Sequence, residues 1–369
     1  MRIGFDAKRA YSNKSGLGNY SRDVIRSLQD NYPENEYVLF SPEKETELLE
    51  LKYQFNLISP KASSKAGKSY WRSFSITKDI INSKLDIYHG LSNELPFSIG
   101  KANVKKIVTI HDLIFLEIPS LYSYLDRKIY LKKFEHACEI ADKIIATSHQ
   151  TKKDIIKHFG TKDSKIKVIY QSCNERFKIK HTEQSAKQIL DKYKIPDNYI
   201  LNVGTIETRK NALNIVKAIY YFNLDICLVI VGRKTPYYKQ IKSYVDSHEM
   251  QDRVLVLENV SNEDLPVIYK NSRIFVYPSV YEGFGIPILE AFNSGIPVIT
   301  SDNGSPAEIA GDAAIQVDSL NPKSIGIALR SVLQSSELAN ALIRDGYKRA
   351  KLFDQEIVSK NIMSLYNSL

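Results

Sequence analysis

The sequence has 369 residues, 43% of them hydrophobic and 25% charged, which is typical of a globular protein with two or three domains. No apolar run approaches the ~18–20 residues that a membrane-spanning helix needs. The three cysteines show no C-x-x-C spacing, so a disulfide framework or a zinc site is not expected. The net charge of +9 lies almost entirely in residues 1–170, which hold 28 Lys and Arg against 20 Asp and Glu. An anionic partner of this half and a solvated basic surface both explain that excess.

Short β-branched runs alternate with amphipathic stretches along the chain, which is the pattern of βα units that build a parallel sheet. We predict strands at 2–7, 37–40, 86–90, 106–112, 143–148 and 166–170, and again at 199–204, 226–232, 254–260, 274–279 and 297–301. The polar residues 171–186 separate the two series and are interpreted as a linker. The predicted fold class is therefore α/β with two Rossmann-like domains, and a ligand is expected in the cleft between them.

The last twenty residues carry apolar side chains at helical spacing, so a terminal helix is predicted there. We place the domains at 1–172 and 173–351, and we expect helix 352–369 to pack back on the first domain. The opening residues lack the apolar core of a signal peptide, which favours a cytoplasmic protein.

The first glycine cluster is SGLGNY at 15–20, soon after the first strand. Gly16 and Gly18 permit close approach of a backbone, and the residues from Tyr20 onward are typical of a helix. A glycine loop before a helix is a frequent anion site, because free amides and the helix dipole point at the ligand. The full G-x-G-x-x-G fingerprint is absent, since position 21 is serine, so a structural turn explains this cluster equally well.

The segment IHDLIF at 110–115 ends a predicted strand and places His111 at the carboxyl edge of the sheet. A neutral imidazole there can bond a substrate hydroxyl or polarise a reacting group. A single histidine after a strand is more often a hydrogen-bonded structural group, and this motif alone leaves both interpretations open.

The segment NVGTIETRKN at 202–211 ends another strand in Gly204 and Thr205 and then presents Arg209 and Lys210. Two adjacent cations beside a glycine turn suit a diphosphate, since arginine offers a fork of donors and lysine a point charge. A solvated pair of basic residues explains the same pattern.

The segment YEGFGIPILEAFNSGIPVI at 281–299 contains two carboxylates, Glu282 and Glu290. Gly285 and Pro287 predict a loop followed by a helix, which Gly295 ends. The amides at the start of that helix form a second anion site. Glu290 lies one turn inside and can accept hydrogen bonds from vicinal hydroxyls, although a carboxylate that stabilises the helix dipole explains it too.

Other catalytic motifs are missing from the sequence. There is no H-E-x-x-H and no D-x-D pair, so a diphosphate held through a carboxylate-bound metal is not expected. There is also no G-x-x-x-x-G-K-[ST] and no G-x-S-x-G, which argues against P-loop ATPases and α/β-hydrolases.

Taken together, these motifs resemble those of the retaining glycosyltransferases of family 4, which have the GT-B fold of two Rossmann-like domains facing across a deep cleft. The resemblance covers nearly the whole chain, with "MRIGFDAKR" and "GSPAEIAGDAA" most similar to the bacterial mannosyltransferase-like branch. It rests on GLGNY (16–20), HDL (111–113), NVGTIETRKN (202–211), VGR (231–233), VSNEDLPVIY (260–269) and residues 282–314.

The resemblance implies a role for each matching residue. In the first domain, Gly16, Leu17 and Gly18 would approach the donor phosphates, and His111 would contact the transferred sugar. In the second domain, the turn at Gly204 and Thr205 would lie beside the donor, and Arg209 and Lys210 would neutralise its diphosphate. Further along this domain, Val260 would contact the base and Glu282 would bind the sugar hydroxyls. Backbone amides would be offered to the donor by Phe284, Gly285 and Ile286, and Glu290 would bind the ribose.

The resemblance further implies hexose transfer with retention at the anomeric carbon. A double displacement needs a carboxylate nucleophile, and the family pattern supplies none. We therefore favour front-face attack, in which the leaving diphosphate helps to take the acceptor proton. We expect no metal and no other cofactor. GDP-mannose is the preferred donor, with UDP- or dTDP-linked sugars as alternatives.

The acceptor is expected to face the basic first domain. Residues 61–84 carry six basic residues and one acidic residue, and residues 121–134 carry four and one, interleaved with aromatic side chains. Such segments suit an anionic lipid surface. We therefore expect peripheral association with the inner face of the plasma membrane and a glycan or polyprenyl-linked glycan acceptor in surface polysaccharide synthesis.

Three other classes of protein match the sequence less well. A nucleic-acid-binding protein would need a basic, aromatic recognition element, which the nearly neutral second half lacks. A phosphorylase would need a pyridoxal lysine context that we do not find. A nucleotide-sugar epimerase of the same architecture remains as an alternative.

Overall fold

The computed structural model describes residues 1–44 and 55–369. These residues form two compact units, one of Met1–Ser172 with Gln355–Leu369 and one of Cys173–Asp354. The sequence placed the first boundary after residue 172 and started the terminal segment at 352. In the structure that segment starts at Gln355, because Lys351–Phe353 forms a 3-10 turn whose Phe353 ring packs against Phe284 in the second unit.

The first unit is built on a seven-stranded parallel sheet in the order β3-β2-β1-β4-β5-β6-β7. Its strands are β1 (Arg2–Asp6), β2 (Glu36–Phe40), β3 (Asn56–Ile58), β4 (Ile87–Gly90), β5 (Lys105–Ile110), β6 (Lys143–Ala146) and β7 (Ile166–Val168). Its helices before the second unit are α1 (Lys8–Ser12), α2 (Gly16–Asn31), α3 (Lys65–Tyr70), α4 (Ile76–Asn82), α5 (Ile114–Glu117), α6 (Tyr124–Ile140) and α7 (His149–Phe159), with a π-helical turn at Trp71–Ser75.

Serines start the longer helices of this unit and fix where they begin. The Ser123 hydroxyl accepts from the amide of Asp126 at the start of α6, and the Ser148 hydroxyl accepts from the amide of Thr151 at the start of α7. Such caps satisfy amides that have no partner inside the helix. Helix α7 ends at Gly160, whose positive φ of 59° favours glycine.

The last helix of the chain, α16 (Gln355–Asn367), packs on α2 of the first unit. Its buried face includes Ile362 and Tyr366, which are 0% and 2% exposed. The Asn31 amide donates to the Ser359 hydroxyl at 2.9 Å and ties the two helices together.

The second unit is built on a six-stranded parallel sheet in the order β10-β9-β8-β11-β12-β13. Its strands are β8 (Tyr199–Val203), β9 (Cys227–Val231), β10 (Val254–Leu257), β11 (Phe275–Tyr277), β12 (Val298–Ser301) and β13 (Ile315–Val317). Its helices are α8 (Glu183–Lys192), α9 (Ala212–Tyr221), α10 (Tyr238–Ser247), α11 (Leu265–Lys270), α12 (Ile286–Ser294), α13 (Gly304–Ala310), α14 (Pro322–Gln334) and α15 (Ser336–Ala350).

The strand order creates a switch point in each sheet. In the second sheet the chain runs from β8 outward to β10 and then returns to place β11 on the other side of β8. The loops after β8 and β11 therefore leave the carboxyl edge in opposite directions and open a crevice, which is where open α/β sheets bind ligands. In the first sheet the same point lies between β1 and β4.

The predicted α/β class with two Rossmann-like sheets is confirmed, and all eleven predicted strands are present. The sequence missed β3 and β13, which are three-residue edge strands. The predicted linker at 171–186 contains a 3-10 turn at Glu175–Lys178 and the start of α8.

Candidate active site

Three charged side chains meet at the switch point of the second sheet. Arg209 and Lys210 lie in a single 3-10 turn after β8, and Glu282 lies in the loop after β11. One Glu282 carboxylate oxygen is 2.7 Å from Arg209 Nη1, and the other is 2.5 Å from Lys210 Nζ. All three side chains are at most 14% exposed, so the ion pairs are largely removed from water. The strand order brings together two segments that are about seventy residues apart in the chain.

Neighbouring groups hold the two cations from the side. Arg209 Nη2 lies 2.7 Å from a Glu207 carboxylate oxygen, and Arg209 Nη1 donates to the Tyr281 carbonyl at 3.0 Å. Lys210 Nζ donates to the Tyr277 hydroxyl and lies 4.6 Å from the centre of that ring. The positions of both cations are therefore set by the protein, as a preorganised electrostatic site requires.

The charges of the cluster depend on one another. Burial on its own would raise the pKa of Glu282, but Lys210 and Arg209 lower it to about 2. Burial lowers the pKa of Lys210, and Glu282 opposes that change. Burial also acts to lower the pKa of Arg209, but Glu282 and Glu207 reverse this and raise it. Glu282 is thus a charged carboxylate with one cation beside each of its oxygens.

Glycines allow the backbone to come close beneath the cations. Gly204 ends β8 with φ of +142°, a conformation that L side chains rarely adopt. A Cβ on Gly232 would lie 1.9 Å from the Gly204 carbonyl oxygen, so the VGR turn at 231–233 needs glycine for packing. Thr205 follows in the same turn and is partly exposed at the edge of the sheet.

The segment after Glu282 forms the predicted loop and helix. Gly285 adopts φ of +138° and precedes α12, which has Pro287 in its first turn and ends at Gly295 in the left-handed conformation. The amides of Gly285 and Ile286 lie at the helix N-terminus, where helical geometry gives them no intrahelical acceptor. The Ser305 hydroxyl donates to the Gly283 carbonyl at 3.2 Å and fixes the loop. The Phe284 side chain is buried at 4% exposure, so this residue offers its backbone rather than its ring to solvent.

Glu290 lies in the second turn of α12 and is partly exposed. Its Oε2 accepts a hydrogen bond from the Tyr269 hydroxyl at 2.8 Å. Burial raises the pKa of Glu290, while Tyr269 acts in the opposite direction. One carboxylate oxygen is thus oriented by the protein. Val260, the predicted base contact, follows β10 at the same edge of the sheet and is partly exposed.

Sequence reasoning separated groups that the structure joins. It gave Glu282 to the donor sugar and the two cations to the diphosphate, whereas the three form one ion-paired cluster. It missed Tyr277 and Glu207, which orient Lys210 and Arg209. Tyr277 could have been identified from its position at the end of β11, but only if β11 was known to lie beside β8.

The glycine cluster of the first unit differs from the prediction. Gly16 and Gly18 do not form a loop before a helix, because α2 already begins at Gly16 and both glycines, with Leu17, lie in its first turn. A Cβ on Gly18 would lie 1.8 Å from the Asn13 carbonyl oxygen, so glycine is needed there for packing. A Cβ on Gly16 would meet nothing within 4 Å, so the packing of the described residues does not explain that glycine.

His111 follows β5 at the carboxyl edge of the first sheet, and its ring is held at both nitrogens. Nε2 donates to the Leu91 carbonyl at 2.8 Å, which leaves Nδ1 as an acceptor 3.4 Å from Gln171 Nε2. Burial lowers the pKa of His111 to about 4, with the Leu91 carbonyl acting in the opposite direction. The imidazole is therefore neutral at physiological pH. The hydrogen-bonded structural interpretation and the sugar contact both remain compatible with this geometry.

Within the described part of the chain, there is no group of three or more His, Cys, Asp or Glu side chains placed to hold a metal ion. The charged cluster instead contains two fixed cations of its own.

Comparison with known proteins then decides the family. The model of the family described as Glycosyltransferase Family 4 matches residues 14–175, and that described as Glycosyl transferases group 1 matches residues 182–349. The chain belongs to glycosyltransferase family 4. The resemblance predicted from the motifs is thereby confirmed.

Curated relatives of this family 4 glycosyltransferase include enzymes of O-antigen synthesis. The chain is 29% identical over 289 residues to O-antigen chain mannosyltransferase B of Escherichia coli, covering 77% of this chain and 74% of the relative. It is 29% identical over 227 residues to O-antigen chain mannosyltransferase RfbU of Salmonella typhimurium, covering 62% of this chain and 60% of the relative.

Two solved structures share the fold of this chain. A glycosyltransferase from Rickettsia africae has a TM-score of 0.78 at 19% identity, covering 100% of this chain and 98% of the other. The Anabaena protein HepE, in complex with UDP and glucose, has a TM-score of 0.79 at 15% identity and full coverage of both chains. The predicted GT-B fold class is confirmed by these likenesses.

Proposed function

We propose that this glycosyltransferase is a retaining, metal-independent enzyme that transfers mannose from GDP-mannose to a glycan or lipid-linked glycan. The observation that carries the proposal is the buried cluster of Arg209, Lys210 and Glu282 beside the N-terminus of α12. A departing nucleoside diphosphate gains negative charge, and fixed cations with free helix amides stabilise it. The mannosyltransferases among the relatives support the choice of sugar.

In this mechanism the two cations act on the leaving group. The bond between the anomeric carbon and the β-phosphate oxygen breaks, and the acceptor oxygen bonds to the same face of that carbon. The acceptor proton passes to the departing phosphate oxygen, so the diphosphate serves as the base. Arg209 and Lys210 stabilise the charge that grows on the diphosphate, and this stabilisation is larger in the transition state than in the bound donor.

The state of Glu282 supports front-face attack over a double displacement. A carboxylate nucleophile needs a free oxygen aimed at the anomeric carbon. Both Glu282 oxygens lie against cations, and with a pKa of about 2 the carboxylate is a weak base. We therefore assign Glu282 to holding the two cations, and any contact with a donor hydroxyl is additional.

His111 fits a role as a hydrogen-bonding partner of the transferred sugar. Its neutral ring has Nδ1 as an acceptor with only a long, 3.4 Å contact to Gln171. A sugar hydroxyl at normal hydrogen-bonding distance would donate to Nδ1 more strongly than the Gln171 amide does across 3.4 Å. Gly16, whose Cβ position faces open space, and the amide end of α2 fit the predicted approach of a donor phosphate.

Glu290 and Val260 fit the nucleoside. Tyr269 orients the Glu290 carboxylate by occupying Oε2, and Oε1 is then placed to accept from a ribose hydroxyl. Val260 offers an apolar contact at the same edge.

The donor and the stereochemistry are tested together. Thermal unfolding is followed with GDP, UDP, dTDP and ADP sugars, and a ligand at a hundred times its Kd raises the unfolding free energy by about 2.7 kcal/mol. Transfer is then followed by NMR of the anomeric proton of the product. We expect stabilisation by GDP-mannose and an α-linked product from the α-linked donor. An inverted product would contradict front-face attack. If only UDP- or dTDP-sugars stabilise the protein, one of these sugars and not GDP-mannose is the donor. If the sugar isomerises in the absence of an acceptor, the epimerase alternative is favoured.

We also propose that the acceptor is membrane-linked and that α6 rests on an anionic membrane. One face of α6 exposes Tyr124, Leu125 and Ile129, which are 69%, 68% and 44% exposed, together with Lys128 and Lys132. These five residues recur at helical spacing and form one stripe, which we call the α6 stripe. Exposed apolar side chains with lysines between them suit the interface of an anionic bilayer. Among the described residues no helix is long and apolar enough to cross a membrane.

The second predicted basic segment lies beside this helix. The rings of Tyr70 and Phe74 are 5.3 Å apart and 62% and 44% exposed. Phe74 packs on Phe97 at 5.6 Å, and Phe97 packs at 4.8 Å on His136 of α6. Residues 61–84 thus reach helix α6 indirectly, through Phe97, which supports a single basic and aromatic surface.

Liposome sedimentation tests this surface. The wild-type protein should bind vesicles that contain about a third phosphatidylglycerol and release them at high salt, because exposed charge interactions are screened. Replacing Leu125 and Ile129 by glutamate should reduce binding at least about tenfold, since this removes apolar burial and adds repulsion. Ile327→Glu, at a 59% exposed position on α14, is the matched control. Equal binding to neutral and anionic vesicles, or equal loss in the control, would contradict the proposal.

A further inference from the structure

Four buried polar side chains form a continuous chain of hydrogen bonds through the first unit. The Tyr366 hydroxyl of α16 lies 2.6 Å from His89 Nδ1, and His89 Nε2 lies 2.8 Å from Thr109 Oγ1. Thr109 Oγ1 in turn lies 3.0 Å from the hydroxyl of Tyr20 on α2. Each of the four residues is at most 5% exposed, so bulk water does not compete for these bonds.

The chain of bonds ends against His111. The rings of Tyr20 and His111 meet edge to face, with their centres 4.6 Å apart and an angle of 87° between their planes. His111 is also held by the Leu91 carbonyl and contacted by Gln171, so Tyr20 supplies a further restraint on the orientation of the ring. A residue on the last helix of the chain is thus connected to the candidate sugar contact.

The donors and acceptors along these four hydrogen-bonded side chains constrain one another. Burial lowers the pKa of His89 to about 3, so the ring is neutral and has one N–H to donate. Tyr366, Thr109 and Tyr20 also have one hydrogen each. The tautomer of His89 therefore sets the direction of the two hydrogen bonds that its ring makes, to Tyr366 and to Thr109. When the ring hydrogen is on Nε2, Tyr366 donates to Nδ1 and Thr109 accepts from Nε2.

We propose that Tyr366 is a positioning residue for His111, acting through His89, Thr109 and Tyr20. This inference rests on the proposed function, because it assumes that His111 contacts the transferred sugar. Without the Tyr366 hydroxyl, His89 Nδ1 has no partner in a dry interior. The imidazole then exchanges tautomers or turns, and the restraint on Thr109 and Tyr20 is lost.

The test uses Tyr366→Phe in the full-length protein, which removes one oxygen and keeps the ring. Histidine labelled with ¹⁵N in the ring reports the tautomer and environment of His89 and His111 by NMR, without any need for activity. We expect the ring resonances of both histidines to move. We also expect kcat to fall about tenfold with the donor KM within about twofold, as for an interaction that matters only in the transition state.

Tyr37→Phe is the matched control. The Tyr37 hydroxyl is in the same unit, is 4% exposed and donates to the Leu28 and Tyr32 carbonyls, but it lies outside the chain of bonds. It should lower stability without moving the His111 resonances or kcat. Tyr20→Phe breaks the chain at its other end, so it should reproduce the effect of Tyr366→Phe, and the double variant should show less than the product of the two losses.

Three results overturn the inference. His111 resonances that stay in place in Tyr366→Phe show that the chain does not position this ring. An equal kcat loss in Tyr37→Phe shows a general effect of destabilisation. Resonances that move while kcat stays unchanged show that the position of His111 is irrelevant to transfer. Failure of the proposed function can be distinguished from failure of this inference. In that case the wild-type protein would transfer no sugar, while the NMR comparison would still show whether Tyr366 affects the His111 ring.

Discussion

At the scale of single residues, Glu282 explains how two adjacent cations can be fixed in a buried place. Arg209 and Lys210 would repel each other and lose hydration there, and one carboxylate with an oxygen on each cation offsets both costs. Burial alone favours loss of the Lys210 proton, so Glu282 also helps to keep Lys210 charged toward an incoming diphosphate. The two predictions that follow depend on this balance.

Removing either cation should affect turnover more than donor binding. In Arg209→Ala and Lys210→Ala, we expect kcat to fall by about 10²–10³ because charge on the leaving group is no longer stabilised. Donor affinity should change less than about fivefold in both, since other donor contacts remain. Steady-state kinetics and calorimetric titration of the donor measure the two effects. Lys234→Ala removes a 37% exposed lysine paired with Glu258 and should change neither. Loss of donor affinity alone would exclude the leaving-group role.

Glu282 should also make stability depend on pH in a defined window. Its pKa of about 2 in the folded protein lies below the ordinary 4.5, so the carboxylate stabilises the fold above pH 4.5. That contribution, up to about 3 kcal/mol, is lost as the pH falls toward 2. The difference in unfolding free energy between wild type and Glu282→Gln should therefore shrink over that window, as measured by denaturant titration. A constant difference between wild type and Glu282→Gln across this window would contradict the assigned cause.

At the scale of secondary structure, two elements with glycine-rich starts serve different purposes. Helix α12 begins after Gly285, whose φ of +138° leads the chain into the helix beside the charged cluster. Helix α2 begins at Gly16 itself, and Gly18 allows the helix to pass within contact distance of the Asn13 carbonyl. The same residue type thus meets a conformational need in one helix and a packing need in the other.

The two glycines of α2 should respond differently to alanine. Gly18→Ala places a Cβ 1.8 Å from a backbone oxygen, so we expect a destabilisation of at least about 2 kcal/mol. Gly16→Ala meets open space and should leave stability unchanged or raise it by up to about 1 kcal/mol. If a donor phosphate approaches this turn, Gly16→Ala should still weaken donor binding. Thermal unfolding measures the effect on stability, and donor titration measures the effect on binding. An unchanged donor affinity in Gly16→Ala would show that Gly16 is not part of the donor site.

The sequence predicts the strands and helices better than it predicts which of their side chains come into contact. β-branched runs identify the eleven predicted strands because burial on both faces demands them. The Gly285, Pro287 and Gly295 signals locate α12 because each meets a local backbone requirement. The ion pairs of Glu282 could not be predicted, because they depend on β11 lying beside β8, and that order is set by packing of the whole sheet.

At the scale of the whole molecule, the first unit is discontinuous in sequence. Its core includes Ile362 and Tyr366 from a helix that follows the entire second unit. The second unit, by contrast, is one continuous segment, Cys173–Asp354. Deleting the terminal helix should therefore damage the first unit selectively.

A fragment of Met1–Ser172 should unfold with low cooperativity, because it exposes the apolar surface that α16 covers. Joining Gln355–Leu369 to it through a flexible linker of about fifteen residues should restore a cooperative transition and raise the midpoint by several degrees. Circular dichroism during thermal unfolding measures both fragments. The same linked fragment with Ile362→Asp is the control and should behave like the bare one. Equal cooperativity of the bare and linked fragments would show that α16 is dispensable for this unit.

The return of α16 to the first unit has a consequence for synthesis on the ribosome. Residues 173–354 must be translated before Gln355 appears. At 5–20 residues per second this takes roughly 10 to 35 s. During that delay the nascent first unit lacks the Tyr366 hydroxyl and the apolar cover of α16. The second unit has every residue it needs once Asp354 has been added, before α16 is made. The second unit is therefore the first to have its complete sequence, and chaperones that shield apolar surface have their longest opportunity on the half of the chain that is made first.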